Sequence, residues 1–240
     1  MKDLMITALA LLLAASITLT SCQQEEAEPV AALSDEEALD LVEGALANTT
    51  QGLTQEALDA AYVAEPYVEK GGGDPCGMTF DSTVVRSLNK PNITANYTSS
   101  WGWTVLCTPQ GIPNAVDYVR QTTGSYETTR LLSQDSAEGE WNVGNLLIGQ
   151  TILVNGAYSR SGTQTSKVFN QQTYSSEFSV DVTDLGIDKS TYEISGGTGD
   201  FTLSGENGDG QSFSISGTIT FLGNQSAAVT INGQTHTINW

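Results

Sequence analysis

The chain has 240 residues, of which 28 are Asp or Glu and only 9 are Lys or Arg, so its formal net charge is −19. Nucleic acids and anionic membrane surfaces are bound through clustered Lys and Arg, so this charge balance argues against both as partners. Hydrophobic residues make up 39% of the chain, which is enough for a packed core and argues against general disorder.

The N-terminus has the features of a secretion signal. Apolar residues run from Leu4 to Leu19, which matches the hydrophobic region of a signal peptide and is too short to favour a bilayer span. The run ends in Leu19-Thr20-Ser21-Cys22, which resembles the bacterial lipobox. The resemblance implies that residues 1–21 are a lipoprotein signal peptide and that Cys22 carries the lipid, palmitate included. The alternative is an ordinary secretory signal with a chance cysteine.

Residues 22–33 are predicted to form an acidic tether. Residues 23–28 read QQEEAE, which looks like the surface-export signal of Bacteroidota lipoproteins; the alternative is a plain solvated linker. Gln23, not Asp, follows Cys22, and in lipoprotein families this disfavours retention in the inner membrane. We therefore expect an outer-membrane lipoprotein that faces the cell exterior and is held to the membrane by its N-terminal lipid.

Residues 34–70 are predicted to be a helical segment of two short helices. Ser34 and Glu37 have the spacing of a capping box, which begins a helix that continues to about Asn48. Thr54 is expected to cap the second helix, and Pro66 is expected to end it. Residues 71–75 (GGGDP) then break the chain before the next domain.

Residues 76–240 are predicted to be an antiparallel β domain. Apolar residues alternate with Ser, Thr and Asn, and 22 of the 24 Gly lie after residue 70. Short turn signals such as Asn232-Gly233 separate the alternating runs, while Asn155-Gly156 fits a β-bulge as well as a turn. The fold class is therefore all-β: a meander of about ten strands, barrel-like or a sandwich, preceded by the short helical segment.

The cysteine count predicts one disulfide. With Cys22 lipidated, Cys76 and Cys107 remain as an even pair in an oxidising compartment. A bond between them closes a loop of about 30 residues and contributes roughly 3–4 kcal/mol in the chain-entropy model. Two free thiols are the alternative.

Catalysis has little support in the sequence. His236 is the single His and lies close to the end of the chain, and no nucleophile elbow or phosphate-binding glycine loop accompanies it. A glycosidase needs only two carboxyl groups, and acidic residues cluster at two places, although no spacing singles out a catalytic pair. They are Asp181, Asp184 and Asp188 after a strand, and Glu138 and Glu140 on either side of Gly139. We predict that the protein is not an enzyme and needs no cofactor.

A metal site is not expected, although Asn207 and Asp209 lie in a loop that partly resembles an oxygen-rich calcium loop. Asn-Gly and Asp-Gly are also strong hairpin residues, so a structural turn is the favoured interpretation. Ser82 and Ser136 each follow an Asp and match the short Bacteroidota O-glycosylation motif, a pattern that often arises by chance.

The aromatic residues allow two interpretations. Tyr97, Trp101 and Trp103 share one face of a predicted strand, and Trp141 is expected near them. If exposed, they form a contact strip for a glycan or protein partner; if buried, they belong to the core. A barrel with an aromatic interior would also fit a lipocalin-like carrier of a small apolar ligand.

Residues 154–167 (VNGAYSRSGTQTSK) and 217–224 (GTITFLGN) are similar to segments of uncharacterised Bacteroidota surface lipoproteins. This resemblance implies an all-β surface lipoprotein and supplies no catalytic residues. The leading hypothesis is a lipid-anchored cell-surface protein with a non-catalytic binding or envelope-structural role. The alternatives are the carrier and a carboxylate-based glycoside hydrolase.

Overall fold

A computed structural model describes residues 32–69, 75–169 and 171–240. The predicted signal peptide, Cys22 and most of the predicted tether lie outside the described residues. The helical segment comprises α1 (Asp35–Leu46), a 3₁₀ turn (Asn48–Thr50), α2 (Leu53–Ala64) and α3 (Pro66–Glu69). The strands are β1 (Thr79–Lys90), β2 (Ile93–Cys107), β3 (Pro113–Thr128), β4 (Leu131–Gly144), β5 (Thr151–Ser166), β6 (Thr173–Asp188), β7 (Ile194–Asn207), β8 (Ser212–Gly223), β9 (Ser226–Ile231) and β10 (Gln234–Asn239).

The ten strands form one antiparallel sheet in which each strand pairs with its neighbours in the sequence. The predicted all-β meander of about ten strands after a short helical segment is thus confirmed. The sheet is not closed, so β1 and β10 are its two edges. The predicted bulge is present on β5, where the register with β6 shifts between Val154 and Gly156.

Strict alternation of burial gives the sheet two chemically different faces. In β4 every second residue from Leu131 to Val143 is buried, and the residues between them are exposed. The buried face, called the inner face below, packs against α1 and α2 in one hydrophobic core to which every strand contributes. The outer face is covered by none of the described elements. Successive side chains of a strand point to opposite faces, so alternating apolar and polar residues give an antiparallel sheet one buried and one solvent-exposed face.

The helical segment is fixed to the sheet at its start. Ser34 accepts from the Glu37 N–H at 3.3 Å while Glu37 accepts from the Ser34 N–H at 2.9 Å, which is the predicted capping box. Leu33 is buried, and the carbonyl of Ala32 accepts a hydrogen bond from Asn207 at 3.2 Å. The last two residues of the predicted tether therefore belong to the folded domain.

Two predictions for the helical segment need correction. The second helix begins at Leu53, and its N-cap is Gly52 rather than Thr54. Thr54 is fully buried and donates its hydroxyl to the Leu46 carbonyl at 2.7 Å, so it joins the two helices instead of capping one. The chain also makes one further helical turn, α3, which begins at Pro66.

The expected disulfide between Cys76 and Cys107 is present, with the two Cα atoms 5.6 Å apart. It ties the residues before β1 to the end of β2. None of the helices among the described residues is long and apolar enough to cross a membrane.

Candidate functional site

The four aromatic residues singled out in the sequence do not form an exposed strip. Tyr97, Trp101 and Trp141 are 3%, 8% and 3% exposed on the inner face. Trp103 is half-buried and stacks on Phe80 with ring centroids 5.5 Å apart. The burial of Tyr97, Trp101 and Trp141 fits the core interpretation of these residues better than the surface-strip interpretation. The physical reason is the helical segment, which covers the face on which they lie.

Charged residues also line the inner face, and sequence reasoning missed them. Arg120 on β3 and Arg160 on β5 are 1% and 5% exposed. The signal was available, because Arg120 shares strand parity with Tyr118 and Arg160 shares it with Tyr158. Buried arginines need partners, since an unpaired buried charge is very costly.

The first buried cluster joins α2 to β1 and β3 through Asp59. Its carboxylate accepts from Arg86 at 2.6 and 2.7 Å and from Arg120 at 2.6 Å. Arg120 also donates to Ser99 and Thr122, each at 2.9 Å. The Trp101 ring lies 5.4 Å from the Arg86 guanidinium and 5.8 Å from that of Arg120, within range of cation–π attraction.

The second buried cluster centres on Arg160. It is 2.9 Å from an Asp135 carboxylate oxygen and hydrogen-bonded to the Tyr97 hydroxyl. It also donates to the backbone carbonyls of Gly44, at 2.9 Å, and Thr50, at 3.1 Å. Arg160 therefore holds the end of α1 and the 3₁₀ turn against the sheet. Burial raises the pKa of the neighbouring Tyr126 to about 12, so the hydroxyl of Tyr126 stays protonated at neutral pH.

Glu56 on α2 is the buried carboxyl with the poorest set of partners. One oxygen accepts from the Trp141 indole at 2.9 Å, whereas the other has no hydrogen bond and lies 3.9 Å from Arg120. Burial raises the pKa of Glu56 to about 7. Gly139 makes room for this carboxyl, since a Cβ there would lie 1.7 Å from Glu56 Oε1. The Glu138-Gly139-Glu140 stretch, which the sequence singled out for its two carboxyl groups, therefore also contains the glycine that leaves space for Glu56.

The outer face is acidic and holds no basic residue at a strand position. Its carboxylates are Asp81, Asp117, Glu127, Glu138, Glu140, Glu177, Asp181, Asp200 and Glu206, all exposed. Of the Lys and Arg in the described ranges, Arg86, Arg120 and Arg160 lie on the inner face. The others, Lys90, Arg130, Lys167 and Lys189, lie at strand ends or in turns. The two faces of one sheet therefore carry opposite signs of side-chain charge.

The acids of the outer face are densest near the β5 bulge. Asp181 and Asp200 are directly opposite each other on β6 and β7. With Glu138 and Glu140 they surround an open depression of about 330 Å³, whose floor includes Ala157. Like charges directly opposite in a sheet are destabilising. The other acids of the predicted cluster lie elsewhere. Asp184 lies beside the bulge, and Asp188 is the last residue of β6, where hydrogen bonds from Ser190 lower its pKa.

Asp40 and Glu43 on α1 are a carboxyl pair that the sequence did not single out. Both line a cavity of about 110 Å³ beside Arg130, and burial raises the pKa of each. Asp40 accepts from Arg130 at 2.7 Å. The cavity is smaller than the roughly 300–1,000 Å³ of ordinary ligand sites.

The loop that contains Asn207 and Asp209, considered above for calcium, is a turn held by hydrogen bonds among its own residues. The side-chain Oδ1 of Asn207 accepts from the backbone N–H groups of Asp209 and Gln211, each at 3.0 Å. Within the ranges that the structure describes, no three His, Cys, Asp or Glu side chains are grouped to hold a metal ion. His236 is half-buried on β10, and its Nε2 has no partner.

The two predicted glycosylation positions differ in exposure. Ser136 is exposed on the outer face of β4, although the preceding Asp135 is buried. Ser82 is half-buried and points toward the inner face of β1.

Comparison with known proteins returns no match to a family model, to a curated protein or to a solved structure.

Proposed function

We propose that this chain is a lipid-anchored protein of the outer cell surface that acts by binding a partner and performs no catalysis. The proposed location is supported by the lipobox-like sequence that ends at Cys22 and by the acidic residues that follow it. The binding role rests on one structural observation, the separation of charge between the faces of the sheet.

The outer face is the surface that supports a binding role. The helical segment occupies the inner face, so a partner meets the sheet from its outer side. Glu127 is paired with Lys167 at 2.9 Å, and the other carboxylates of the outer face have no ion-pair partner among the described residues. Such unpaired carboxylates, interspersed with Ser and Thr, favour a protein partner that presents Lys and Arg. Complementary charge increases the association rate and selects against partners of the wrong sign.

The alternative functions receive less support. A lipocalin-like carrier holds its ligand inside the sheet, where side chains of α1 and α2 are packed. For a glycosidase, the pair Asp40 and Glu43 has suitably raised pKa values but lines too small a cavity. Glu56 has a raised pKa as well, yet it is fully buried.

The anchor is tested by metabolic labelling with palmitate in a bacterial host. We expect the wild-type chain to incorporate label and the Cys22→Ser variant to incorporate none. Cys107→Ser is the control, because it removes a disulfide partner and leaves the lipobox intact. Label retained by Cys22→Ser would refute the anchor, and resistance of the intact-cell protein to added protease would refute surface exposure.

The contact surface is tested with a lysine-rich peptide as the cationic probe. The double variant Asp181→Asn/Asp200→Asn removes two charges from the outer face. Glu65→Gln/Asp209→Asn removes two exposed charges outside the strands. We expect the first variant to weaken calorimetrically measured peptide binding and the second to leave it nearly unchanged. Equal weakening by both would mean that net charge alone attracts the peptide, which would overturn the proposed surface.

A further inference from the structure

A third concave site lies between α2 and the turns at one end of the sheet. It has a volume of about 300 Å³, at the lower end of the range for small-molecule sites. Four half-buried apolar side chains contribute to its wall, namely Leu58, Tyr192, Ile194 and Trp240. We call it the Trp240 cleft. It is distinct from the acidic outer face, because α2 and the β6–β7 and β8–β9 turns form it.

Three of the six Asn, Gln, Glu, Ser and Thr side chains that line the Trp240 cleft are amides. Asn48, Asn224 and Gln225 line it together with Glu193. Asn224, Gln225 and Glu193 are exposed and Asn48 is half-buried, and within the described part of the chain none of the four side chains is hydrogen-bonded to the protein. No Lys or Arg is among the residues that line the cleft. Amides both donate and accept hydrogen bonds, and a carboxylate accepts them, so this set suits a neutral ligand with many hydroxyl groups.

Three of the eight non-glycine residues with positive φ in the described part of the chain line this cleft. Tyr192, Asn224 and Gln225 have φ values of 54°, 51° and 55°, in the left-handed region that bulky residues rarely adopt. Asn224 and Gln225 are the two central residues of the β8–β9 turn. Strained residues of this kind cluster at ligand sites, because the surrounding structure must hold them in place.

The next hairpin provides an internal comparison. The β9–β10 turn is Asn232-Gly233, with φ values of 51° and 77°. Two positive φ values in succession favour Asn followed by Gly, and this turn follows the rule. The β8–β9 turn has Gln where its neighbour has Gly, so it keeps a side chain at a position where the backbone favours none. A side chain retained against a local preference points to a contact that the turn itself does not need.

We propose that the Trp240 cleft binds one unit of a neutral saccharide. A pyranose ring presents an apolar C–H face and a rim of hydroxyl groups. The C–H face packs on the aromatic wall formed by Trp240 and Tyr192, and the hydroxyls exchange hydrogen bonds with the amides and with Glu193. Because this site shares no residue with the acidic outer face, either can fail without affecting the other.

The test uses saturation-transfer NMR on the full-length chain in a detergent without a sugar headgroup. The probes are glucose, galactose, mannose and N-acetylglucosamine, each at about 50 mM, which detects millimolar affinity. We expect at least one probe to bind, and glucuronate to bind less well because Glu193 repels it. No transfer to any of the four sugars would overturn the proposal.

Three variants identify the site. Trp240→Ala should weaken binding by about tenfold or more, whereas Tyr62→Ala, at a 64% exposed position outside the cleft, should leave it unchanged. Gln225→Gly produces the favoured Asn-Gly turn, so it should raise the melting temperature while weakening sugar binding. A higher melting temperature together with weaker sugar binding would show that Gln225 contacts the ligand and does not stabilise the fold. Unchanged binding in folded Trp240→Ala, or full binding in a stabilised Gln225→Gly, would refute the site.

Discussion

The inner and outer faces of this sheet are built on the same strands and obey opposite rules for charge. On the inner face each Arg meets a carboxylate at hydrogen-bond distance, as Arg120 does with Asp59 and Arg160 with Asp135. On the outer face carboxylates stand without basic neighbours on the strands, and Asp181 is directly opposite Asp200. Water screens the outer charges, whereas the interior does not, so only the inner face requires pairing.

The comparison also shows how the helical segment is held. Its helices are short and would be marginal alone in water. Apolar side chains pack the helices against the inner face of the sheet. In addition, Asp59 accepts a hydrogen bond from Arg120, and the backbone carbonyls of Gly44 and Thr50 accept hydrogen bonds from Arg160. The inner charges therefore fix where the helices lie, while the outer charges remain available to a partner.

The largest effect is expected from breaking the second buried cluster. Arg160→Met leaves Asp135 buried without its cation, so we expect unfolding free energy to fall by about 3–5 kcal/mol. Arg130→Met is the matched control: Arg130 is 40% exposed in its pair with Asp40, and its loss should cost about 1 kcal/mol or less. Urea unfolding measures both. Equal losses would contradict the distinction between paired inner charges and screened surface ones.

A second prediction concerns pH and Glu56. Its pKa is about 7 in the folded protein and near 4.5 in the unfolded chain, so ionisation favours unfolding. Stability contributed by this group is full below pH 4.5, declines by about 3 kcal/mol as pH rises toward 7, and then stays level. Glu56→Gln keeps an acceptor for Trp141 and removes the titration. The difference between the two stability curves should therefore change across this window; parallel curves would show that Glu56 is ionised throughout.

A third prediction compares two glycines of β4. Gly139 faces inward, where a Cβ would lie 1.7 Å from Glu56 Oε1, whereas at Gly144 the nearest atom would be 3.7 Å away. Gly139→Ala should cost about 1–3 kcal/mol through overpacking, and Gly144→Ala much less. Truncating Glu56 to Ala in the Gly139→Ala background should restore part of the loss. Additive effects in this double-mutant cycle, measured by thermal unfolding, would mean that the two residues do not touch.

Much of the fold could be predicted from the sequence, because a period of two and short turn residues are local signals. Tyr174, Phe178 and Val180 follow this alternation in the sequence, and all three are buried on the inner face. The helical segment was predicted as well, but its place against the inner face was not. That contact depends on pairs such as Asp59 with Arg120, which are 61 residues apart. Without it, Trp101 and Trp141 could equally be a surface strip, which is why their burial needed the structure.

The smallest effect is expected on the outer face, and it has the opposite sign. Asp181→Asn/Asp200→Asn removes repulsion between directly opposed carboxylates, so unfolding free energy should rise by about 0.2–1 kcal/mol. Glu65→Gln/Asp209→Asn changes net charge equally but should alter stability less. The difference in stability between the two double variants should shrink at high salt, because exposed charges are screened within about 3 Å at 1 M ionic strength. A gain in stability accompanied by loss of binding to the lysine-rich peptide would mark the repulsion as retained for contact with a partner. A loss of stability would instead show that these carboxylates make favourable contacts, and the contrast between the faces would then need revision.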